Sequence, residues 1–232
     1  MNLSKRLTAV AAMVSPGNRL ADIGTDHGYV PIYLVEKGIV PSAIAMDVRR
    51  GPLEKAAHNI KVHGLEQLIQ TRLSDGLKQL RENEADTVLI AGMGGALMSR
   101  ILNDGAGVLS GIRELILQPQ SEICDFRHFL HDHGYTIADE QMLIDDGKYY
   151  VLFKAVHGTQ RYDTETEYMY GSLLLHRQDP VLHAFILKEI RTYETILNQL
   201  ICSDSERTLP RRRQLSEKLA YGKEALTYYE MQ

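Results

Sequence analysis

The stretch Leu20-Ala21-Asp22-Ile23-Gly24-Thr25-Asp26-His27-Gly28-Tyr29-Val30-Pro31 constrains this chain more than any other. A short apolar run reaches an acid, breaks into a glycine-containing turn, and resumes as an amphipathic run through Leu34, Val35 and Ile39. Strand, tight turn and helix opening, in that order, build the ligand crevice of a doubly wound α/β sheet. Backbone N–H groups at a helix start offer donors, and glycine lets the chain come close to a ligand.

Spacing separates two nucleotide readings of this stretch. The dinucleotide fingerprint G-x-G-x-x-G wants glycine at positions 24, 26 and 29. The chain has Gly24, then Asp26 and Tyr29. The pattern that binds S-adenosyl-L-methionine (SAM), acidic-x-G-x-G-x-G, is met by Asp22, Gly24 and Gly28 and departs only at Asp26. SAM has no pyrophosphate, and its ammonium suits a carboxylate. An extra acid in this loop therefore favours SAM over NAD.

The next segments repeat the theme. Residues 42–48 read as a second strand ending in Asp47, about 20 residues beyond Gly24, where a carboxylate can accept both ribose hydroxyls. Leu53, Ala56, Ala57 and Ile60 stripe the helix that follows Pro52. A third strand, 68–73, runs into Ser74-Asp75-Gly76, where an acid faces the adenine amine. Asp22, Asp47 and Asp75 thus end three successive strands at one sheet edge, a placement that solvated loop acids do not explain.

Residues 86–91 form a fourth, almost wholly apolar strand, as a buried central strand should be. It leads into Gly92-Met93-Gly94-Gly95, with no Asn/Asp-Pro-Pro-aromatic motif for holding an exocyclic amine. Open space and free N–H groups are expected there instead. A fifth strand, 114–120, ends in Gln118-Pro119-Gln120. The helix over 122–131 gathers His128, His131 and His133; without a second group of ligands it reads as a solvated helix end, and no metal is expected. Residues 135–144, the turn 145–147 and residues 148–156 form a closing hairpin, which a dinucleotide-binding fold lacks.

Composition sets bounds. Hydrophobic residues make up 44% and charged residues 24% of the 232, ordinary for a folded soluble chain. Cys124 and Cys202 lie far apart, which gives neither a disulfide framework nor a cysteine zinc site and suits a reducing cytoplasm. Leu3, Leu7, Val10 and Val14 recur at helical spacing, so the start reads as an amphipathic helix rather than a signal peptide. No apolar run approaches the roughly 18 residues of a membrane span. A net charge of −4 argues against coating nucleic acid by bulk electrostatics.

Composition shifts after His157-Gly158-Thr159, so two domains are expected, 1–160 and 161–232. In the second, Pro180 opens a long helix in which Leu182, Ile186, Ile190, Tyr193, Leu197 and Leu200 alternate steps of four and three. A polar break over 203–210 precedes a second helix that begins with Arg211, Arg212 and Arg213. The arginine run is either a set of phosphate contacts or a solvated helix start.

Four segments together resemble the bacterial tRNA adenine-22 N1-methyltransferases: Ser4-Lys5-Arg6-Leu7, the stretch from Asp22 to Pro31, Ser74-Asp75-Gly76-Leu77, and Ala91-Gly92-Met93-Gly94-Gly95. The resemblance covers the whole chain. It implies SAM as methyl donor, tRNA as substrate, and a Rossmann-like class I methyltransferase sheet of parallel strands with a closing antiparallel hairpin. It also implies that a helical, coiled-coil-like domain completes the α/β chain. Cofactor contacts would fall on Asp22, Gly24, Asp26, His27, Gly28, Asp47, Asp75, Gly76 and Gly92. Tyr29 is the aromatic best placed to stack on a target base, with Met93 as a softer neighbour; Tyr29 as core packing stays open. Gln118, like Asp26 and His27, is a candidate ligand of cofactor or base. Arg211, Arg212, Arg213 and Lys218 form the densest cationic cluster for RNA, which Lys5 and Arg6 would extend. Methylation of a small molecule or protein, and a non-catalytic nucleotide-binding regulator, remain the alternatives.

Overall fold

The computed structural model describes residues 2–202 and 206–230, in two compact units, Met1–Gln160 and Arg161–Gln232. The first opens with α1 (Lys5–Ala12), whose N-cap Ser4 accepts a hydrogen bond from the Leu7 amide. Then follow β1 (Leu20–Ile23), α2 (Tyr29–Glu36), β2 (Ala43–Asp47), α3 (Arg50–Val62), β3 (Ile69–Leu73) and β4 (Thr87–Met93). Helices α4 (Gly95–Asp104) and α5 (Ala106–Leu109), strand β5 (Glu114–Pro119) and α6 (Ile123–Asp132) lead to the hairpin β6 (Tyr135–Asp145) and β7 (Lys148–His157).

The seven strands lie in the order β3-β2-β1-β4-β5-β7-β6. The first five are parallel, and the hairpin joins antiparallel through β7 against β5. Every residue of β1, β2 and β5 is buried, which explains their continuous apolar runs: helices cover both faces of a parallel sheet. Leu20, Leu34, Leu89 and Ile116 belong to one buried cluster that α1 and α2 help to close. The strand order reverses between β1 and β4, so a crevice opens at their carboxyl ends.

Strand β4 carries an irregularity that shapes this crevice. Ala91 pairs with Gln118 and Met93 with Pro119, so Gly92 is an extra residue in the ladder, held at φ +81°. A bulge of this kind favours glycine and re-aims the chain at the strand end. Three residues later, a Cβ on Gly95 would lie 2.8 Å from the Ser121 carbonyl oxygen and 2.9 Å from that of Glu122. Only glycine admits this approach of α4 to the β5–α6 loop.

Two features of this unit differ from the sequence reading. The end of α6 is not uniformly solvated, because His131 is buried and the His133 ring stacks on Phe129 with centroids 4.0 Å apart. Strand β5 stops at Pro119, which leaves Gln120 in the loop beyond it.

The second unit is helical: α7 (Glu165–Tyr170), α8 (Ser172–His176), α9 (Pro180–Cys202), a 3₁₀ turn at Glu206–Thr208 and α10 (Leu209–Glu230). Thr164 and Glu167 form a capping box on α7, and Asp179 Oδ1 accepts from the amides of Val181 and Leu182 at the start of α9. Leu182, Ile186, Ile190 and Leu197 are the buried stripe of α9. Tyr170 and Tyr193 donate from their hydroxyls to Glu189 at 3.2 and 2.6 Å. Of the polar break expected over 203–210, residues 203–205 lie outside the described residues. Helix α10 begins at Leu209, with Pro210 in its first turn, so Arg211 is not its opening residue.

Candidate active site

The crevice at the strand ends holds a cavity of about 540 Å³, within the range of small-molecule sites. Gly24, Asp26, Asp47, Asp75, Gly76, Gly92 and Met93 line it. Local chemistry brings them there. The Gly24 and Thr25 amides both donate to the Met46 carbonyl, at 2.8 and 2.9 Å, which turns the chain sharply after β1. The Met93 thioether tip lies over that turn, where a Cβ on Gly24 would be 2.1 Å from Met93 Cε. An unbranched methionine is easily displaced from such a position.

The three acids are not equivalent. Asp22 is 6% exposed and stands behind the cavity wall. Burial pushes its carboxyl up to about 6; the Thr25 hydroxyl opposes this, and the neighbouring Asp47 charge adds to it. Asp47 ends β2 in the cavity. Its Oδ1 accepts from the Arg49 amide at 2.7 Å, while Oδ2 makes no hydrogen bond among the described residues. Asp75 lies two residues past β3 and is held by Lys78 Nζ at 2.6 Å, which keeps its carboxyl below the usual range.

His27, Gly28 and Tyr29 lie off the cavity lining. His27 takes a left-handed conformation, φ +61°, and its carbonyl accepts from Asn59 Nδ2 at 2.9 Å, which ties the loop to α3. Its ring stacks on Tyr29, centroids 5.1 Å apart and planes 5° from parallel. Tyr29 is 38% exposed, which settles its place outside the core. The pair forms an aromatic ledge at the opening of α2.

Gln118 does not reach the cavity either. It is fully buried, and its Oε1 accepts from Arg6 Nη1 at 2.7 Å. Arg6 is the residue that lines the cavity. The sequence singled out Arg6 within Ser4-Lys5-Arg6-Leu7 and as an RNA contact, but no local pattern places it in the cavity, because α1 is brought over the ends of β4 and β5 by the fold. Val48, 60% exposed and directly after Asp47, also lines the cavity with Leu97 and Ile101. Its signal was present in sequence, as a lone apolar residue between a strand-end acid and Arg49-Arg50.

The donor set fits SAM. An acid with a spare oxygen suits a ribose, an exposed Val48 suits an adenine face, and the glycines at 24 and 92 leave room for the thioether-bearing chain. A parallel sheet in this order, closed by an antiparallel hairpin around such a site, defines a Rossmann-like methyltransferase. The family described as a methyltransferase domain matches residues 3–153.

The chain belongs to the tRNA (adenine(22)-N(1))-methyltransferase family. A Bacillus subtilis (strain 168) protein of that name is 33% identical over 234 residues, covering 98% of each chain. Sp1610 of Streptococcus pneumoniae, solved in complex with SAM, is 38% identical with a TM-score of 0.88, over 97% of this chain and 100% of that one. TrmK of M. capricolum, solved with S-adenosyl-homocysteine (SAH), is 27% identical with a TM-score of 0.86, over 97% and 98%.

Proposed function

We propose that this protein transfers the methyl group of SAM to N1 of adenine 22 in tRNA, in the cytoplasm. The observation that carries the reading is the cavity itself: Asp47, Asp75 and the bulged Gly92 converge on one space at the strand ends of a chain of this family. SAM supplies an electrophilic methyl and adenine N1 brings its own lone pair, so no residue has to remove a proton before attack. Catalysis then rests on alignment and on exclusion of water. This agrees with a site that has no paired general acid and base facing each other.

In this reading Asp47 accepts the ribose hydroxyls, Asp75 the adenine amine, and Asp26 the ammonium of the methionine end. N1 lies on the Watson–Crick edge, so the target base must leave its pair and be held elsewhere. The His27–Tyr29 ledge offers the stacking face. Residues 1–160 act as the catalytic domain and 161–232 as the tRNA-contacting domain, with Arg211, Arg212, Arg213 and Lys218 meeting phosphates and Lys5 adding a contact from the first unit.

Incubation of the purified protein with methyl-labelled SAM and unmodified tRNA tests the reading. Label is expected on N1 of adenine 22, read by mapping the modified base. Label at another base, or on no base while SAM binds, would refute it.

A further inference from the structure

Gln120, in the loop after β5, lines the cavity and has no role in the site described so far. It is exposed, and its side-chain amide has no hydrogen-bond partner among the described residues. The other acceptors of the lining are spoken for. Ser74 is bonded to Gly76 and Gln79 within its own turn. Asp26, Asp47 and Asp75, which the proposed reading gives to the cofactor, follow β1, β2 and β3. Gln120 stands beyond β4, on the opposite flank of the crevice. A side chain on that flank is placed for the methyl acceptor.

The loop that carries Gln120 is firmly mounted. The Gln120 amide donates to the Met93 carbonyl at 2.9 Å, the Gly95 amide to the Ser121 carbonyl at 3.0 Å, and the Ala96 amide to Glu122 Oε2 at 3.1 Å. Residues 120–122 are thereby tied to the turn between β4 and α4. The side chain reaches the bulge of β4, where a Cβ on Gly92 would stand 3.6 Å from Gln120 Nε2. Backbone contacts set where the residue stands, and its carboxamide stays free for a ligand. That is the arrangement a recognition residue needs.

A carboxamide offers one acceptor and one donor side by side, and on adenine these match the N6 amine and N7. That pairing leaves N1 open to attack. Guanine presents acceptors at both O6 and N7, so the carboxamide oxygen would go unmatched. The hydrogen bond from N6 also strengthens during the reaction. As N1 forms its bond to carbon, the S–CH3 bond breaks with its electrons kept by sulfur, and the positive charge passes to the base without loss of a proton. The amine becomes a stronger donor, so its acceptor stabilises the transition state more than the ground state.

Resting on the tRNA-methylation reading above, we propose that Gln120 is the specificity-determining residue for the target base, its carboxamide pairing with N6 and N7 of the adenine while N1 faces the methyl group. The amine is then held from the β5–α6 loop, in place of an Asn/Asp-Pro-Pro-aromatic motif after β4.

Synthetic tRNA carrying adenine, purine or 7-deazaadenine at the target position tests this. Purine lacks the N6 amine, and 7-deazaadenine lacks N7. Altered reactivity of N1 in an analogue affects every variant alike, so the adenine-to-analogue ratio of kcat/KM is compared between proteins. From wild type to Gln120→Ala the purine ratio should fall about tenfold, within the range of one bidentate pair. The 7-deazaadenine ratio should fall about threefold, the scale of one neutral hydrogen bond. Gln120→Glu keeps an acceptor but no donor, so it should retain most of the purine ratio and lose the 7-deazaadenine ratio. SAH affinity by calorimetry and the thermal midpoint should stay as in the wild type for both variants. Methylation of adenine with ratios unchanged in Gln120→Ala would overturn the role of Gln120 and leave the tRNA reading intact. Loss of SAH affinity in step with turnover would overturn it in favour of a cofactor contact. A wild-type protein that binds SAH and methylates no tRNA adenine refutes the reading and the proposal together.

Discussion

At the sheet edge, Asp22 is buried with a carboxyl raised to about 6 and the Arg6 guanidinium has only neutral partners. Along α10, Arg211 donates to Gln214 at 2.6 Å and Arg213 to Glu217 at 3.3 Å, one turn away in each case. The same residue chemistry thus serves two purposes. At Asp22 and Arg6 charge is held desolvated without an opposite partner among the described residues, which lowers stability, and only Arg6 of the two faces the cavity. In the tail the arginines are solvated, and a local ion pair such as Arg213–Glu217 is worth only a few tenths of a kcal/mol.

The largest effect expected from this contrast is separation of the two tasks. A chain ending at Gln160 should bind SAH within a few-fold of the full-length protein and lose tRNA methylation altogether. Retained methylation would show that the tail is dispensable. Loss of SAH binding in a folded fragment would show that the cofactor edge depends on it.

Asp22→Asn probes the buried charge. The folded carboxyl titrates near 6 and the unfolded one near its ordinary 3.8, so the native state holds its proton more tightly. Native stability from this group is present below about pH 4 and is lost as pH rises through 6. The neutral variant should therefore match the wild type at pH 4 and exceed it at pH 8, by up to about 3 kcal/mol. Thermal unfolding across that range is the measurement. A gain independent of pH would mean that Asp22 is not the cause.

If the free Oδ2 of Asp47 accepts the ribose hydroxyls, as proposed, Asp47→Ala should weaken SAH by about 1.5–3 kcal/mol. An unchanged affinity would move the ribose elsewhere in the cavity. Tyr29→Ala should leave SAH affinity intact and lower turnover by about 1–3 kcal/mol in transition-state stability, the scale of stacking on one base. Equal loss of binding and turnover would assign the ledge to the cofactor loop instead.

The smallest effects belong to the tail. Arg212, which has no partner among the described residues, should reduce the salt slope of tRNA binding by about one when replaced by alanine. Arg213→Ala should reduce it less, because Glu217 already offsets that charge. Equal slopes for both would show that local pairing does not matter on α10.

The alternation of strand, turn and helix was readable directly from residues 20 to 119, because burial on both faces of a parallel sheet writes continuous apolar runs bounded by glycine and acid. Asp47 and Asp75 followed from the same logic, since an acid just past a strand end has nowhere to go but the crevice. The resemblance carried by the Asp22–Pro31 and Ala91–Gly95 segments added the family. Long-range contacts obeyed no such rule. Arg6 meets Gln118 across 112 residues and Asp145 across 139, and no local period encodes either pairing. Tertiary structure alone therefore decided that Gln118 stands behind the site and Arg6 within it. It also decided that Tyr29 stacks on His27 in the open, and that His131 is buried where a solvated helix end was expected. Local sequence specifies which face of an element is apolar; which polar groups then meet is set by how the elements pack.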